Sequence, residues 1–527
     1  MNRQHAAEKA LQDQTNILPF AQLMVVFIGL ATSLTITFVE QNGICLTLPV
    51  IARDLSAKDT ISWAGTSSLI ANTIFMVLYG RLADIFGRKV VYLSALSLLS
   101  IATLLCGLAQ NPTMFYVARG LAGVAGGGIT TLTTIMVSDI VAIEQQGRYQ
   151  GILGASVGVG NILGPFIAAA FVIRSTWRGF FWVISPLAAL TAILGYFLMP
   201  GNVQKAPHSF LKDLYYIDWL GIGVSAIGII FTLIPISGGG SYFQWESPMV
   251  ISMFVVGGCA FILFILIEWK FALLPILPVE FFRNKTITVL FLQSFFLGTV
   301  SQVNLYYLTL YYQNARGWSP IISASLTACM MVFQSLFSVL AGHYISWTKR
   351  YGEVLWVGFG LWTLGAGLML IFDNKTHPGI IAVCLSISGA GFGCTFQPTI
   401  LALQAHATKP QRAVAISNRN FFRCMGGAFG LAISAAILQA TLRAELPSGF
   451  HYLAESSYAI PAQSSLHTPQ IMFAYAKASH AVFLFQVPLV GVCFLSCLLI
   501  RDHGLERPEE VQKDSEKAVH EPSEKTN

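Results

Sequence analysis

The sequence predicts an all-α polytopic membrane protein with fourteen transmembrane helices, arranged as two pseudo-symmetric six-helix bundles plus two extra linking helices. Two observations predict this class. Hydrophobic residues make up 54% of the 527 positions and charged residues only 11%, and the mean hydropathy of +0.64 is far above that of soluble domains. In addition, a loop sequence that follows the second apolar run recurs in degraded form after the tenth. Together they indicate a duplicated bundle of membrane helices.

Each predicted helix is an apolar run of about 20 residues, the length that crosses roughly 30 Å of hydrocarbon. Six runs form each bundle and a pair lies between the bundles. Because the number of runs is even, both termini are expected on the same side of the membrane. The runs lie near 22–46, 62–80, 90–110, 114–137, 150–172, 180–199, 217–237, 249–268, 286–312, 321–343, 354–372, 378–403, 413–440 and 479–500.

The chain is therefore predicted to divide into five parts. The first twenty residues are too polar for a signal peptide and are expected to form a cytoplasmic tail. The last part carries 13 charged residues in 27 with no apolar period, which predicts a disordered cytoplasmic tail. The parts are the tail 1–20, the first bundle 21–199, the linker with two additional helices 200–285, the second bundle 286–500 and the tail 501–527.

The positions of the basic residues predict which side faces the cytoplasm, because Lys and Arg are retained in cytoplasmic loops. With the N-terminus inside, 20 of the 31 Lys and Arg residues fall in cytoplasmic segments, 8 in external loops and 3 within predicted helices. The net charge of +6 therefore reflects membrane topology and does not indicate a nucleic-acid partner. A multi-pass protein of the plasma membrane is expected, with the vacuolar membrane as the alternative.

The loop after the second apolar run reads GRLADIFGRK over residues 80–89. Gly80 and Gly87 permit a tight turn, while Asp84 can meet the positive end of a helix or pair with an arginine. Making and breaking such a contact predicts a conformational latch that includes Arg88. The alternative is that the basic residues only anchor the cytoplasmic side, which leaves the aspartate unexplained.

A degraded copy of this loop, GHYISWTKR at 342–350, follows the tenth run. Ser346 stands where the first copy has its aspartate, so any latch chemistry is expected in the first bundle. Internal duplication with a site between the two halves is the usual plan of secondary transporters.

The fifth run reads GILGASVGVGNILGPFIAA over residues 151–169. Its glycines, among them Gly151, Gly160 and Gly164, make a smooth surface that lets another helix approach closely. Pro165 removes a backbone donor and bends a helix. Such packing suits a protein that rocks between two states, and it also occurs in static bundles.

These two motifs resemble those of the major facilitator superfamily, and the fourteen runs resemble its drug:proton antiporter branch, with a fungal character over residues 40–90. The resemblance covers about residues 20 to 500. In that family the pattern on the fifth helix implies proton-driven export, although alanines replace its final glycine pair here. The resemblance implies a substrate site between two six-helix bundles.

Charged residues inside membrane helices are costly and usually face a cavity or a partner. Glu40 in the first run occupies the acidic position of the branch's first-helix motif, where an aspartate is usual. A buried carboxylate can bind a proton, a cationic substrate, or each in turn. The alternative is that Glu40 reaches the water at the outer interface.

Arg119 in the fourth run opens the sequence RGLAGVAGGG, which resembles the family motif whose arginine is assigned to proton transfer. Because arginine stays protonated in proteins, its expected role is to lower the pKa of a carboxyl group in one conformation and to release it in another. The alternative is a purely structural ion pair.

Arg419 and Arg423 in the thirteenth run are four residues apart and therefore share a helical face. Their mutual repulsion indicates an anionic or amphipathic substrate, unless Arg419 only extends toward the cytoplasm. Further polar residues are predicted to line the cavity, those of the ninth run by helical spacing and three from the first bundle as an extension of that lining, or else to form hydrogen bonds between helices. These are Gln41, Asn42, Asn161, Gln293, Asn304, Tyr307 and Tyr311.

The remaining signals are weaker. All nine cysteines lie in apolar runs, where thiols behave as small hydrophobes, so neither disulfides nor a metal site are expected. Asn374 begins an acceptor pattern for N-glycosylation in a predicted external loop. No zinc, phosphate-loop or nucleophile motif is present in the sequence, so we expect no enzyme activity and no cofactor.

The leading hypothesis is a proton-coupled exporter of small amphipathic compounds such as drugs, toxins or secondary metabolites, driven by the proton gradient and functional as a monomer. A rival in the same class is a proton-coupled importer, for example of siderophores. A rival in a different class is a membrane sensor or scaffold that no longer transports.

Overall fold

The computed structural model describes fourteen helices that are long and apolar enough to cross a membrane, which confirms the predicted fold class. The N-terminal tail to residue 16, the linker 200–217, the segment 451–467 and the C-terminal tail from 506 onward lie outside the described residues. The structure describes residues 17–57, 60–61, 63–199, 218–238, 243, 245–272, 274–408, 411–447, 450, 468–502 and 504–505.

The helices are numbered in chain order. They are α1 (Phe20–Asp54), α2 (Trp63–Phe86), α3 (Arg88–Leu108), α4 (Pro112–Ile140), α5 (Gln146–Arg174), α6 (Trp177–Leu198), α7 (Trp219–Gly238), α8 (Pro248–Lys270), α9 (Lys285–Leu310), α10 (Pro320–Thr348), α11 (Gly352–Leu368), α12 (Pro378–His406), α13 (Arg412–Glu445) and α14 (Thr468–Ser496).

Two helices extend further than their apolar runs predict, because polar contacts hold their outer turns. The last residue of α1, Asp54, accepts hydrogen bonds from Trp177 Nε1 at 3.0 Å and Arg178 Nη1 at 2.6 Å. These two donors hold the pKa of the Asp54 carboxyl below its usual value. The first turns of α14 are tied to α13 by Lys477 and Glu445, whose charged atoms are 2.9 Å apart. Part of the predicted external loop 443–478 is therefore helix.

The two bundles have equivalent internal packing. In the first bundle, α1 packs along α5, α2 along α4, and α3 along α6. In the second bundle, α9 packs along α13, α10 along α12, and α11 along α14. Each helix of one bundle thus has its counterpart eight positions later, as the degraded loop copy predicts.

The bundles meet along two seams, in which α5 packs on α10 and α2 packs on α13. The extra helix α7 packs against both α2 and α13, and α8 packs against α7. The pair α7–α8 therefore lies beside the second seam and contacts both bundles.

We use "inner end" for the end of the molecule that carries the α2–α3 and α10–α11 turns, which the sequence predicts to be cytoplasmic. At this end the backbone N–H of Arg148 donates to Ser346 Oγ at 2.8 Å. The amide of Gln404 donates to Ser138 Oγ, also at 2.8 Å. Both hydrogen bonds join the two bundles, so the inner end is closed in this conformation.

The glycines of α5 form two separate surfaces rather than the single smooth face that their spacing suggests. A β-carbon on Gly147 or Gly151 would meet the backbone of α10, at Gly342 and Ser338. A β-carbon on Gly160 or Gly164 would instead meet the backbone of α1. The helix continues through Pro165 to Arg174. α5 is therefore packed tightly against the second bundle on one surface and against α1 on another.

We expect Gly151→Val to destabilise the protein by about 1–3 kcal/mol, because the new side chain would overpack the seam against the carbonyl of Ser338. The matched control is Gly29→Val, since no atom lies within 4 Å of a β-carbon built on Gly29. Thermal unfolding of the two purified variants checks this. Equal midpoints would contradict close packing at the α5–α10 seam.

Candidate functional site

Glu40 on α1 and Arg119 on α4 form an ion pair inside the first bundle. Their side chains are 1% and 2% exposed, so the alternative in which Glu40 reaches water at the interface is wrong. Arg119 Nη2 also lies 3.3 Å from the hydroxyl of Ser68 on α2. Each charge offsets the cost of burying the other, and the pair links three helices of the first bundle.

Close backbone contacts fix the helices that carry this pair. Gly160 and Gly164 on α5 lie against the backbone of Thr35 and Val39, just before Glu40. On α4, Gly123 lies against the backbone of Ser68. The glycines that follow Arg119 therefore bring α2 close to α4, which places the Ser68 hydroxyl within reach of the guanidinium.

Two predicted cavity residues, Gln41 and Asn42, follow Glu40 on α1 and contact different helices, and Asn42 meets a third, Asn161. Asn42 donates to Asn161 Oδ1 at 2.7 Å, and the Asn161 amide reaches the sulfur of Met331 on α10 at 3.7 Å. The amide of Gln41 lies over Gly126 of α4. All three predicted side chains are half-buried. They place amide groups between α1, α4, α5 and the second bundle, next to Glu40.

Three other predicted cavity residues are used for helix packing instead. Gln293 is fully buried and donates to the carbonyl of Cys493 and the hydroxyl of Ser496, at 3.1 and 3.0 Å. Tyr307 donates to the carbonyl of Leu431 at 3.3 Å. Tyr311 donates to the carbonyl of Asp373 at 2.8 Å. In this conformation α13, α14 and the α11–α12 loop occupy polar groups of these residues, and their role in lining the cavity stays a prediction.

Asn304 has a different environment from its neighbours on α9. It is 1% exposed. Within the described part of the chain, no donor reaches its Oδ1 atom. A buried acceptor without a donor is costly in a protein interior. Asn304 therefore retains hydrogen-bonding capacity for a ligand, as does Gln293 through its Oε1 atom, which likewise has no donor among the described residues.

Arg419 is a structural residue of the second bundle. The side chain is fully buried and donates to the carbonyl of Phe396 and, at 3.0 Å, to the hydroxyl of Thr399. Both acceptors flank Pro398, where α12 is interrupted. Arg419 thus satisfies a carbonyl group at the break in α12, and its role as a cavity residue stays a prediction.

Arg423, one turn further along α13, keeps a charge that no acid neutralises among the described residues. Its guanidinium lies 5.7 Å from the centroid of the Phe396 ring, and its side chain is half-buried. No carboxylate in the described residues is within 4.0 Å of it, and its Nε atom has no hydrogen-bond acceptor there. The arrangement can bind an anionic group.

The residues of the predicted latch form a charge network at the inner end. Arg88 contacts Asp84 at 2.6 Å and Asp139 of α4 at 2.9 Å. Arg412, which begins α13 in the second bundle, interacts electrostatically with Asp139. The network therefore joins α2, α3 and α4 directly and faces the second bundle through Arg412.

The two glycines of the loop signature have different roles. Gly87 has a φ of +93°, a conformation that favours glycine, and it turns the chain between α2 and α3. Gly80 lies inside α2, and a β-carbon there would meet the side chain of Ser417 on α13. The expectation that both glycines form a turn is wrong for Gly80, which instead permits close approach of the two bundles.

Sequence reasoning missed Ser68 and Asp139, although both contact predicted residues. Asp139 lies just after the predicted run 114–137, so an acid at a helix end was the available signal. A serine inside an apolar run gives no comparable signal.

Asn374 lies half-buried in the α11–α12 loop, and its glycosylation stays a prediction. In the described residues, no group of three or more His, Cys, Asp or Glu side chains can hold a metal ion.

The family model of the Major Facilitator Superfamily matches residues 26–431. The chain belongs to this superfamily. It is therefore a multi-pass membrane transporter and not an enzyme.

Several known proteins are similar to this superfamily member. It is 44% identical over 509 residues to "Citrate exporter 1" of Yarrowia lipolytica, covering 95% of this chain and 75% of that protein. It is 41% identical over 512 residues to "MFS-type transporter clz4" of Cochliobolus lunatus, covering 97% and 91%. The solved structure of the proton:xylose symporter XylE matches with a TM-score of 0.60 at 14% identity, covering 94% and 99%, which supports the fold alone.

We expect Glu40→Gln and Arg119→Met each to destabilise the transporter, by up to about 3–5 kcal/mol, because each leaves one buried charge without its partner. The double variant should be less destabilised than the sum of the two single variants. Thermal unfolding of the four proteins in one detergent gives this double-mutant cycle. Strictly additive effects would contradict a direct ion pair.

Proposed function

We propose that this chain is a proton-coupled exporter of small organic compounds that works by alternating access. The observation that carries the proposal is the buried ion pair between Glu40 and Arg119. At the position of Glu40 along α1, this helix is packed tightly on α5. In this proposal Glu40 carries the proton and Arg119 positions and stabilises its charged form. The family resemblance on residues 151–169 favours export over import.

The proposed coupling follows from the electrostatics of this pair. When Glu40 is ionised, the neighbouring guanidinium stabilises its charge. Protonation of Glu40 removes that attraction and leaves the charge of Arg119 unbalanced inside the bundle. The two protonation states therefore favour different spacings of α1 and α4. Because α5 contacts α1 on one surface and α10 on another, a change in α1 position affects the seam between the bundles.

We propose two substrate classes, which differ at Arg423. Small amphipathic compounds fit the amides of Gln41, Asn42 and Asn161 beside apolar helix surfaces. Organic anions fit the charge of Arg423, which no carboxylate neutralises within the described residues. The relative named "Citrate exporter 1" favours the organic anion. The proton gradient supplies the energy in either case.

The proposed setting is the plasma membrane, with the vacuolar membrane as the alternative and both termini in the cytoplasm. In this orientation the closed inner end faces the cytoplasm. One chain holds both bundles and the site between them, so we propose a functional monomer.

Proton movement in proteoliposomes tests the proposed coupling. We expect citrate or a lipophilic cation to drive proton flux in the wild type, and Glu40→Gln to reduce that flux at least about tenfold, since it removes the only proposed proton carrier. Glu353→Gln is the matched control, because Glu353 lies half-exposed near the α10–α11 turn. Equal flux in Glu40→Gln and wild type would contradict the role of Glu40. Uptake of labelled compound without proton movement would indicate a facilitator.

Arg423→Gln separates the two substrate classes. If the substrate is an organic anion, we expect the variant to bind citrate about tenfold more weakly, because a hydrogen bond to a charged group is lost. Transport of a lipophilic cation should not fall. Competition binding with labelled citrate and cation measures both effects in one preparation. Unchanged citrate binding in the variant would remove Arg423 from the substrate site.

A further inference from the structure

We propose that the linker residues 274–278 form a bolt that locks the inner end, and that Glu268 of α8 holds this bolt in place. The proposal concerns gating by the linker and the extra helices. It requires only that the bundles move relative to one another, and it does not depend on the proposed proton carrier or substrate.

The bolt is buried although it has no helical structure. Its sequence is Leu-Pro-Ile-Leu-Pro, and it connects α8 to the second bundle. Leu274 and Ile276 are each 4% exposed. Buried irregular segments are unusual, because their backbone polar groups need partners that helices and sheets would otherwise provide. Something other than backbone hydrogen bonding must therefore stabilise this segment.

Side chains from three parts of the molecule supply those partners. Arg81 of α2 donates two hydrogen bonds to the carbonyl of Pro275, at 2.9 and 2.6 Å. Asn418 of α13 donates to the carbonyl of Ile276 at 2.8 Å. The bolt is thus bonded to the first bundle through one side chain and to the second bundle through another.

Glu268 satisfies two backbone donors of the same segment. Its two carboxylate oxygens accept hydrogen bonds from the N–H groups of Ile276 and Leu277, at 3.1 and 3.3 Å. Pro275 and Pro278 have no N–H group, so these two are the donors within residues 275–278. A carboxylate that is 2% exposed therefore fixes the bolt from the α8 side, opposite the positive charge of Arg81.

The location of the bolt gives it a mechanical consequence. Arg81 lies one residue after Gly80, which contacts Ser417, and Asn418 follows Ser417 on α13. Opening of the inner end separates α2 from α13 at this level. Because the bolt is bonded to both helices, at least one of its hydrogen-bonded contacts must break before the inner end opens. Glu268 is accordingly a positioning residue for the transport cycle, far from the Glu40 site in sequence and on an extra helix.

A cysteine reporter at position 416 tests this inference without substrate or a proton gradient. Ile416 is fully buried at the inner end, between Ile135 of the first bundle and Ile400 of the second. In nanodiscs, Ile416→Cys should react with a water-soluble maleimide only when the inner end opens. Labelling of the parent protein, which carries the nine native cysteines, gives the background to subtract.

We expect Glu268→Ala to raise the labelling rate of Ile416→Cys about tenfold, because the hydrogen bonds to a charged acceptor are lost, and Glu268→Gln to raise it less. Glu246→Ala, which removes an exposed acid before the other end of α8, should leave the rate unchanged. If Glu268→Ala does not fold, Asn418→Leu, which removes the bond to the second bundle, should raise the rate. Folded variants that label at the parent rate would overturn the bolt, whatever the outcome of the proton-flux experiment.

Discussion

The close approach of the α5 backbone to two other helices is the constraint on which the rest of the molecule depends. Gly160 and Gly164 place α5 against α1, and Gly147 and Gly151 place it against α10. A side chain at any of these positions would displace a neighbouring backbone. Because packed interiors resist continuous deformation, movement of α10 at the seam and movement of α1 beside Glu40 are linked through one helix. The glycines of α5 thus connect the buried charge pair to the junction between the bundles.

Three arginines of α4 and α13, of which Arg119 and Arg419 are buried and Arg423 is half-buried, differ in how their charges are stabilised, and the difference separates structure from function. Arg119 is neutralised by a carboxylate, and Arg419 is held by a carbonyl and a hydroxyl at the break in α12. Arg423 lies near an aromatic ring, which offsets only part of the cost of burying a cation. Of the three, Arg423 therefore has the largest capacity left for an anionic ligand, while Arg119 can respond only to a change in the charge of Glu40.

The sequence predicts the fold far better than the cavity. The hydropathy and the length of a membrane helix can be read from its own segment of the sequence, so all fourteen helices were predictable. Periodicity places Gln293, Asn304, Tyr307 and Tyr311 on one polar face, but it does not say what covers that face. In the structure α13 and α14 cover most of it. Among the described residues, the side-chain oxygens of Gln293 and Asn304 have no hydrogen-bond donor. Likewise, the role of Arg419 depends on a proline 21 residues earlier in the chain, a contact that spacing along α13 cannot reveal.

The extra helices acquire a physical role through the segment that follows them. A connection between two bundles that move could remain exposed to solvent and flexible. Residues 274–278 are instead buried and hydrogen-bonded to both bundles. Two prolines reduce the number of backbone donors in this segment, and one carboxylate accepts from the N–H groups of Ile276 and Leu277. Burial of the linker is therefore stable only while α2, α8 and α13 keep their present arrangement. In any conformation that separates α2 from α13, the backbone polar groups of the linker need other hydrogen-bond partners. The linker therefore favours the closed inner end.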